Sequence, residues 1–239
     1  MKVCVANSWQ DIIAYAYDGL SLEYREFLEK NEGYFPDYTH FLNAFTSLSL
    51  QDTRYILFGQ DPYPRIQSAN GYAFIDGGVK TLFSQSGLSK EVNRATSLRN
   101  FLKMLLLGEN MLTCNDLSQG AIAKVDKTGF INSTEALRKN FEKNGVLLLN
   151  SALVFTCKAQ SRLHIKAFEP FMQRILEKLQ GRNIKLILFG SQAAKIERSL
   201  PQIHKFTCIK TMHPYNLSFI QDTSVQEFFT PMHLLRQLD

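Results

Sequence analysis

Four short, largely apolar runs, each closing on a polar turn, restrict what this chain can fold into more than any other feature. They are Tyr55–Phe58, Val146–Leu149, Ile184–Phe189 and Phe206–Met212, with amphipathic helical patterns between them. A strand that is apolar at nearly every position has both faces buried, the mark of a parallel sheet covered by helices. The pattern predicts an α/β fold: a single three-layer α/β/α domain over residues 1–239 with a central, mostly parallel four-stranded sheet. In such sheets ligands bind beyond the carboxyl ends of the strands. Those ends carry Gln60-Asp61, Asn150, Gly190-Ser191 and His213, so an acid, an amide, a hydroxyl and an imidazole are expected to converge on one edge.

Between the strands, residues 8–31 are expected to be helical, with Ser21 able to cap, and Phe41–Phe45 to form a short helix. Another helix should start at Thr96 or Ser97 under a hydroxyl cap, and Asn132-Ser133-Thr134-Glu135 resembles a capping box. Helical spacing returns over 167–180 and 193–200, and a final helix should carry Phe228, Leu234 and Leu235. Residues 68–74 read as loop followed by a brief extended piece, residues 75–95 as loop, and 108–132 follow no clear period.

With 239 residues the chain can bury a full core. Its formal charge of +5, from 27 Lys and Arg against 22 Asp and Glu, permits an anionic partner. The opening stretch Met1–Asp11 is too short in apolar residues for a secretory signal, and nothing approaches a membrane span. Cys4, Cys114, Cys157 and Cys208 lie far apart and fit neither a disulfide framework nor paired metal ligands. Reduced, mostly buried thiols in an intracellular protein are the expectation. Phosphate-loop, dinucleotide and nucleophile-elbow motifs are absent from the sequence.

In Gly59-Gln60-Asp61-Pro62-Tyr63-Pro64 each proline disfavours helical backbone at the residue before it. Asp61 and Tyr63 are thereby stiffened at the mouth of a strand, although Asp-Pro and Tyr-Pro pairs equally make ordinary turns. Taken singly, Phe74 reads as core, Asn150 as the cap of a strand and Leu217 as an isolated exposed leucine. His40, His164, His204 and His233 read as structural. His213 differs, because it follows a strand and precedes a proline in a polar turn.

Gly59-Gln-Asp-Pro-Tyr63, together with His213-Pro-x-x-Leu217-Ser218, resembles the family 1 uracil-DNA glycosylases and their signatures GQDPYH and HPSPLS. The likeness continues in order: Phe41–Phe45 with FNAF, Ala69–Phe74 with AHGLAF, Ser97–Asn100 with SLxN, Gly145–Asn150 with GVLLLN, and Leu188–Ser191 with the Gly-Ser loop. It spans roughly residues 40–235, and Asp61, where other uracil glycosylase families usually place Asn, points to family 1.

The resemblance implies a hydrolase that excises uracil from DNA and starts base-excision repair. It implies catalytic roles for Asp61, which would position water and stabilise the sugar cation, and for His213, which would donate to the uracil O2. Gln60, Tyr63, Phe74 and Asn150 would bind the base: a backbone contact, a wall against a 5-methyl group, a stacking platform and an edge-reading amide. Ser97, Ser191 and Ser218 would grip phosphates and Leu217 would wedge into the duplex. The physics agrees with these roles. A stacked base must be flipped out before chemistry, a wedge fills the gap it leaves, and preorganised charge stabilises both ends of the breaking bond.

No metal or cofactor is implied. The implied partner is uracil-containing DNA, single- or double-stranded, with no membrane and with room for a protein inhibitor or a replication partner. Monomer is the default, and the implied location is cytoplasmic for a bacterial or viral source, with the nucleus left open.

The chain departs from the family at Pro64 for His, at Tyr215 and Asn216 for Ser and Pro, at Asn70 for His, and in Asn93–Ser97, which has lost its prolines. Residues 75–95 and 108–135 are longer than usual. Poxviral glycosylase-like processivity factors also carry a Pro at the position of Pro64. A non-catalytic DNA-binding scaffold is therefore the second reading, and a glycosylase for another damaged base the third.

Overall fold

The computed structural model describes residues 4–238; residues 1–3, which open the stretch read as lacking a secretory signal, and residue 239 lie outside the described residues. Along the chain run α1 (Gln10–Tyr17), α2 (Leu22–Lys30), β1 (Tyr55–Gly59), β2 (Phe83–Ser84), β3 (Gly87–Leu88), α3 (Lys90–Arg94), α4 (Thr96–Gly108) and α5 (Gln119–Lys124). Then follow α6 (Thr134–Lys143), β4 (Val146–Asn150), α7 (Ser161–Leu179), β5 (Lys185–Phe189), α8 (Gln192–Ser199), β6 (Thr207–Thr211) and α9 (Thr223–Phe229). Among the described residues, four strands form one sheet in the order β4-β1-β5-β6, and β2 and β3 pair separately as an antiparallel hairpin.

The chain divides into two compact units, one holding residues up to Asp76 with Gly145–Lys210, the other Gly77–Asn144 with the residues from Thr211 onward. In the first, β1 pairs in parallel with β4 and with β5. Ile56, Phe58, Leu147, Leu149, Leu186 and Leu188 share one core with Trp9, Ile13, Phe168 and Phe171 of the helical layer. The alternate residues Leu57, Leu148 and Ile187 point to the opposite face and are buried as well. The expected central parallel sheet of an α/β fold is therefore present, and burial on both faces explains the apolar runs of β1, β4 and β5. The edge strand β6 is instead half-buried to exposed along its length and carries Thr and Lys.

The expected helix over 8–31 is broken into α1 and α2 at Asp18–Ser21, where the Ser21 hydroxyl accepts from the Tyr24 N–H at 3.2 Å and starts the second helix afresh. Helix α7 begins at Ser161, six residues before the apolar spacing starts. The thiols are not buried: Cys4, Cys114 and Cys157 are exposed and Cys208 is half-buried, the first three lying outside helices and strands.

In the second unit Phe101 of α4 packs against Phe141, Phe219 and Phe229. Helix α4 has no side-chain cap, contrary to the expected hydroxyl, whereas Ser133 caps α6 through the Ala136 N–H. Asn132 takes a different role and accepts from the backbone N–H groups of Leu82 and Phe83. Leu234 and Leu235 lie beyond α9, in a turn held by the Asn140 amide, which donates to the carbonyls of Leu234 and Arg236. The two longer segments are ordered against each other. Gln119 of α5 accepts from Leu88 N–H and donates to Asn93 Oδ1, and Gly87, at φ 123°, leaves room for it.

Candidate active site

From β1 the chain crosses to β4 on one side and then returns past β1 to β5 on the other, so the strand order reverses there. That makes the carboxyl end of β1 the switch point of the sheet, where a crevice opens. Gly59, the last residue of β1, lies opposite Asn150, the last of β4. Past this pair the strands stay joined, since Ser151 N–H donates to Gly59 O and Ala152 N–H to Gln60 O. The Asn150 side chain is only 3 % exposed and folds over Gly59, where a Cβ would stand 2.1 Å from its Oδ1. A glycine at the end of β1 is what lets this amide lie there.

Asp61 follows two residues on and accepts a hydrogen bond at Oδ2 from the Ser161 hydroxyl, at the first residue of α7. The Gln60 amide reaches both Asp61 oxygens at 3.4 Å, and its Oε1 accepts from Lys195 Nζ of α8, also at 3.4 Å. Behind Ser161, His164 is buried between the Tyr24 hydroxyl at 2.6 Å and Thr156 Oγ1 at 2.9 Å. Desolvation holds its pKa below the ordinary imidazole value, against the opposing pull of Asp61. It stays a neutral brace, in keeping with the structural role read for it.

Two cross-links fix the segment between Asp61 and Asp76. The Tyr63 hydroxyl donates to the Phe74 carbonyl at 3.2 Å, and Arg65 forms a 2.9 Å ion pair with the buried carboxylate of Asp76. Burial pushes the Tyr63 phenol well up, so it remains a neutral donor. Phe74 is not in an extended piece as expected: its φ is +67°, a left-handed conformation that costs a bulky residue about 1–2 kcal/mol. The neighbouring Ala73 N–H is bound to Leu148 O of β4, so the strain is held by ladder-like pairing on one side and the Tyr63 bond on the other. The Phe74 ring meets Phe189 edge-on at 6.1 Å between centroids. Ser191 is exposed just before α8 and does not cap it.

The first unit thus brings together Gln60, Asp61, Tyr63, Phe74 and Asn150, with Ser191 beyond β5. An open groove of about 1450 Å³ runs from Gln60 and Asp61 along α7 and α8.

His213, Leu217, Ser218 and Ser97 belong to the second unit. There the Asn100 amide, one turn along α4 from Ser97, donates to the Pro214 carbonyl at 2.8 Å and so ties the His213–Ser218 loop to the helix. Tyr215 N–H donates to His213 Nδ1 at 3.0 Å, which leaves the ring proton on Nε2. Desolvation keeps the His213 pKa below its ordinary value, so at neutral pH the ring is uncharged with Nε2–H as donor. Asn216, where the family has proline, accepts from both the N–H and the hydroxyl of Ser218, and thereby replaces a ring constraint with a hydrogen-bonded turn. Leu217 stands 69 % exposed at the tip.

The profile of the uracil DNA glycosylase superfamily matches residues 45–233. The chain belongs to this superfamily. Among curated members, it is 27 % identical over 225 residues to the uracil-DNA glycosylase of Enterococcus faecalis, covering 91 % of this chain and 85 % of that one. It is 28 % identical over 221 residues to that of Clostridium perfringens strain SM101, covering 89 % and 83 %. Its structure superposes on wild-type UNG from Nitratifractor salsuginis with a TM-score of 0.96 at 46 % identity, over 98 % of this chain and 94 % of that one. A mimivirus UNG variant solved in complex with UGI shares the fold at a TM-score of 0.57 and 19 % identity, over 90 % and 72 % of the two chains.

At this sheet edge, motif reading missed Ser161, Lys195 and the Arg65–Asp76 pair. Ser161 is 100 positions from Asp61, and no local pattern marks such a partner.

Proposed function

We infer that this chain is a uracil-DNA glycosylase that hydrolyses the N-glycosidic bond of a flipped-out deoxyuridine and opens base-excision repair. The observation that carries the reading is the gathering of Asp61, Gln60, Tyr63, Phe74 and Asn150 at the sheet's switch point in a member of this superfamily. Uracil stacks on Phe74, and the Asn150 amide pairs with its edge. That choice is selective, because a base with the wrong donors leaves a buried amide unpaired. Tyr63, tied at its hydroxyl, stands where a 5-methyl group would project.

As the C1′–N1 bond breaks, its electron pair leaves with uracil and positive charge builds on the sugar. The Asp61 carboxylate stabilises that charge, and the family resemblance assigns to His213, through Nε2–H, donation to the developing negative charge on O2. The oxygen of a water held by Asp61 Oδ1 bonds to C1′ and its proton passes to the carboxylate. Ser161 is a positioning residue, since its bond to Oδ2 fixes the carboxylate, while Oδ1 has the long 3.4 Å contact from the Gln60 amide and a second lone pair for water.

Release of free uracil from a single-stranded oligonucleotide tests the reading. The wild type should release it, and Asp61→Asn should lose about 10²–10³-fold in rate, the scale of removing one electrostatic stabiliser. No release by the wild type at high enzyme concentration would instead favour the non-catalytic scaffold.

A further inference from the structure

The groove beside Asp61 is lined by five cations: Lys158 ahead of α7, Arg162 and Lys166 on its first turns, and Lys195 and Arg198 of α8. None of the five is in an ion pair among the described residues. Apart from Asp61, the one acid in the lining is Glu169, farther along α7. Lys195 links the groove to the site through its bond to Gln60.

A merely solvated cationic face would be spread over a convex surface and interleaved with acids. Here like charges converge from separate elements into one concavity, which raises the local potential and attracts an anion.

We propose that this groove holds the phosphodiester backbone of the DNA strand leading away from the flipped nucleotide. It is a track for an extended single strand that reaches past the nucleotides at the bond being cut. The proposal rests on the reading of Asp61 as the residue beneath the reacting sugar, because that is what brings a strand to the groove's mouth. The lining runs from Ser161 to Gln173, roughly 18 Å of helix axis, room for several consecutive phosphates. Toward Gln173 the α8 side continues the lining, since the Gln173 amide donates to Ser199 O, next to Arg198.

The test uses Arg162→Gln/Lys166→Gln/Arg198→Gln in the full chain, with Lys195 left intact because it touches Gln60. Binding of a labelled, uracil-free single strand of about twenty nucleotides is measured by anisotropy across salt concentrations. Each lost phosphate contact lowers the slope of log K against log salt by about 0.7, so the triple variant should lose about 2 from the slope. At 0.1 M salt that amounts to about a hundredfold in affinity, relative to the 1 M reference where the two proteins converge. Uracil release from a deoxyuridine trinucleotide should be unchanged, while release from the long strand at low substrate concentration falls with affinity.

An unchanged slope overturns the proposal, as does an equal loss on trinucleotide and long strand, or a variant that binds DNA normally and loses an acidic protein partner. If the wild type releases no uracil at all, the catalytic reading fails while the binding slope still decides the groove. Should the triple variant melt early, the single variants Arg162→Gln and Lys166→Gln must each lower the slope by about 0.7.

Discussion

Replacing Gly59 with alanine probes the closest approach in the site. A Cβ there would lie 2.1 Å from Asn150 Oδ1, 2.9 Å from the Ala73 Cβ and 3.3 Å from Asn150 Cγ. To reach ordinary contact near 3.4 Å, the Oδ1 atom must retreat by about 1.3 Å. The Ala73 side has little slack, because Ala73 is fully buried and its N–H is bound to Leu148 O. Overpacking of this kind costs about 1–3 kcal/mol, which in a domain of this size lowers the melting temperature by about 2–12 °C. A shift of about an ångström in a substrate-reading amide costs on the order of 10²-fold in kcat/KM for uracil release.

Thermal melting and steady-state uracil release measure the two effects. Adding Asn150→Ala separates them: the double variant should recover part of the stability, because the 2.1 Å clash with Oδ1 is gone while the 2.9 Å approach to the Ala73 Cβ remains, and should stay inactive, because the amide is gone too. Melting and kcat/KM within twofold of wild type for Gly59→Ala would refute the claim that backbone closeness at this glycine places Asn150. A double variant no more stable than Gly59→Ala would move the clash to Ala73.

Two further outcomes follow from the site. Tyr63→Ala should open the wall facing the uracil 5-position, so that the preference for uracil over thymine falls about 10- to 200-fold, the usual worth of excluding one methyl group. Assays of thymine release would show this, and unchanged selectivity would locate the wall elsewhere. Leu217→Ala should reduce uracil release from duplex more than from single strands, because only the duplex needs a wedge to offset a few kcal/mol of unstacking. Equal losses on both substrates would count against that role.

The strands and the groups at their ends were legible because both signals are local. Strands β1, β4 and β5 are buried on both faces and so read as apolar runs, and Gly59-Gln60-Asp61-Pro62-Tyr63 and His213-Pro214 stand at or just past the ends of β1 and β6. The start of α7 was not legible, since Ser161–Lys166 is largely charged or polar on the face that lines the groove, and a helix without an apolar stripe leaves no period to read. Helix α5 and the β2–β3 hairpin escaped for a related reason. They are six residues and two residues per strand long, too short for periodicity, and they are held by Gln119 rather than by propensity.

Residue chemistry and the order of the elements were settled by the chain's own pattern of apolar and polar positions, which acts over a few residues. Tertiary packing alone decided that Ser161 meets Asp61, that Phe74 is held at positive φ, that Asn150 lies over Gly59 and that unpaired cations face one groove. Contacts across such separations depend on how the layers close, and no local preference of the backbone encodes where a distant side chain will arrive.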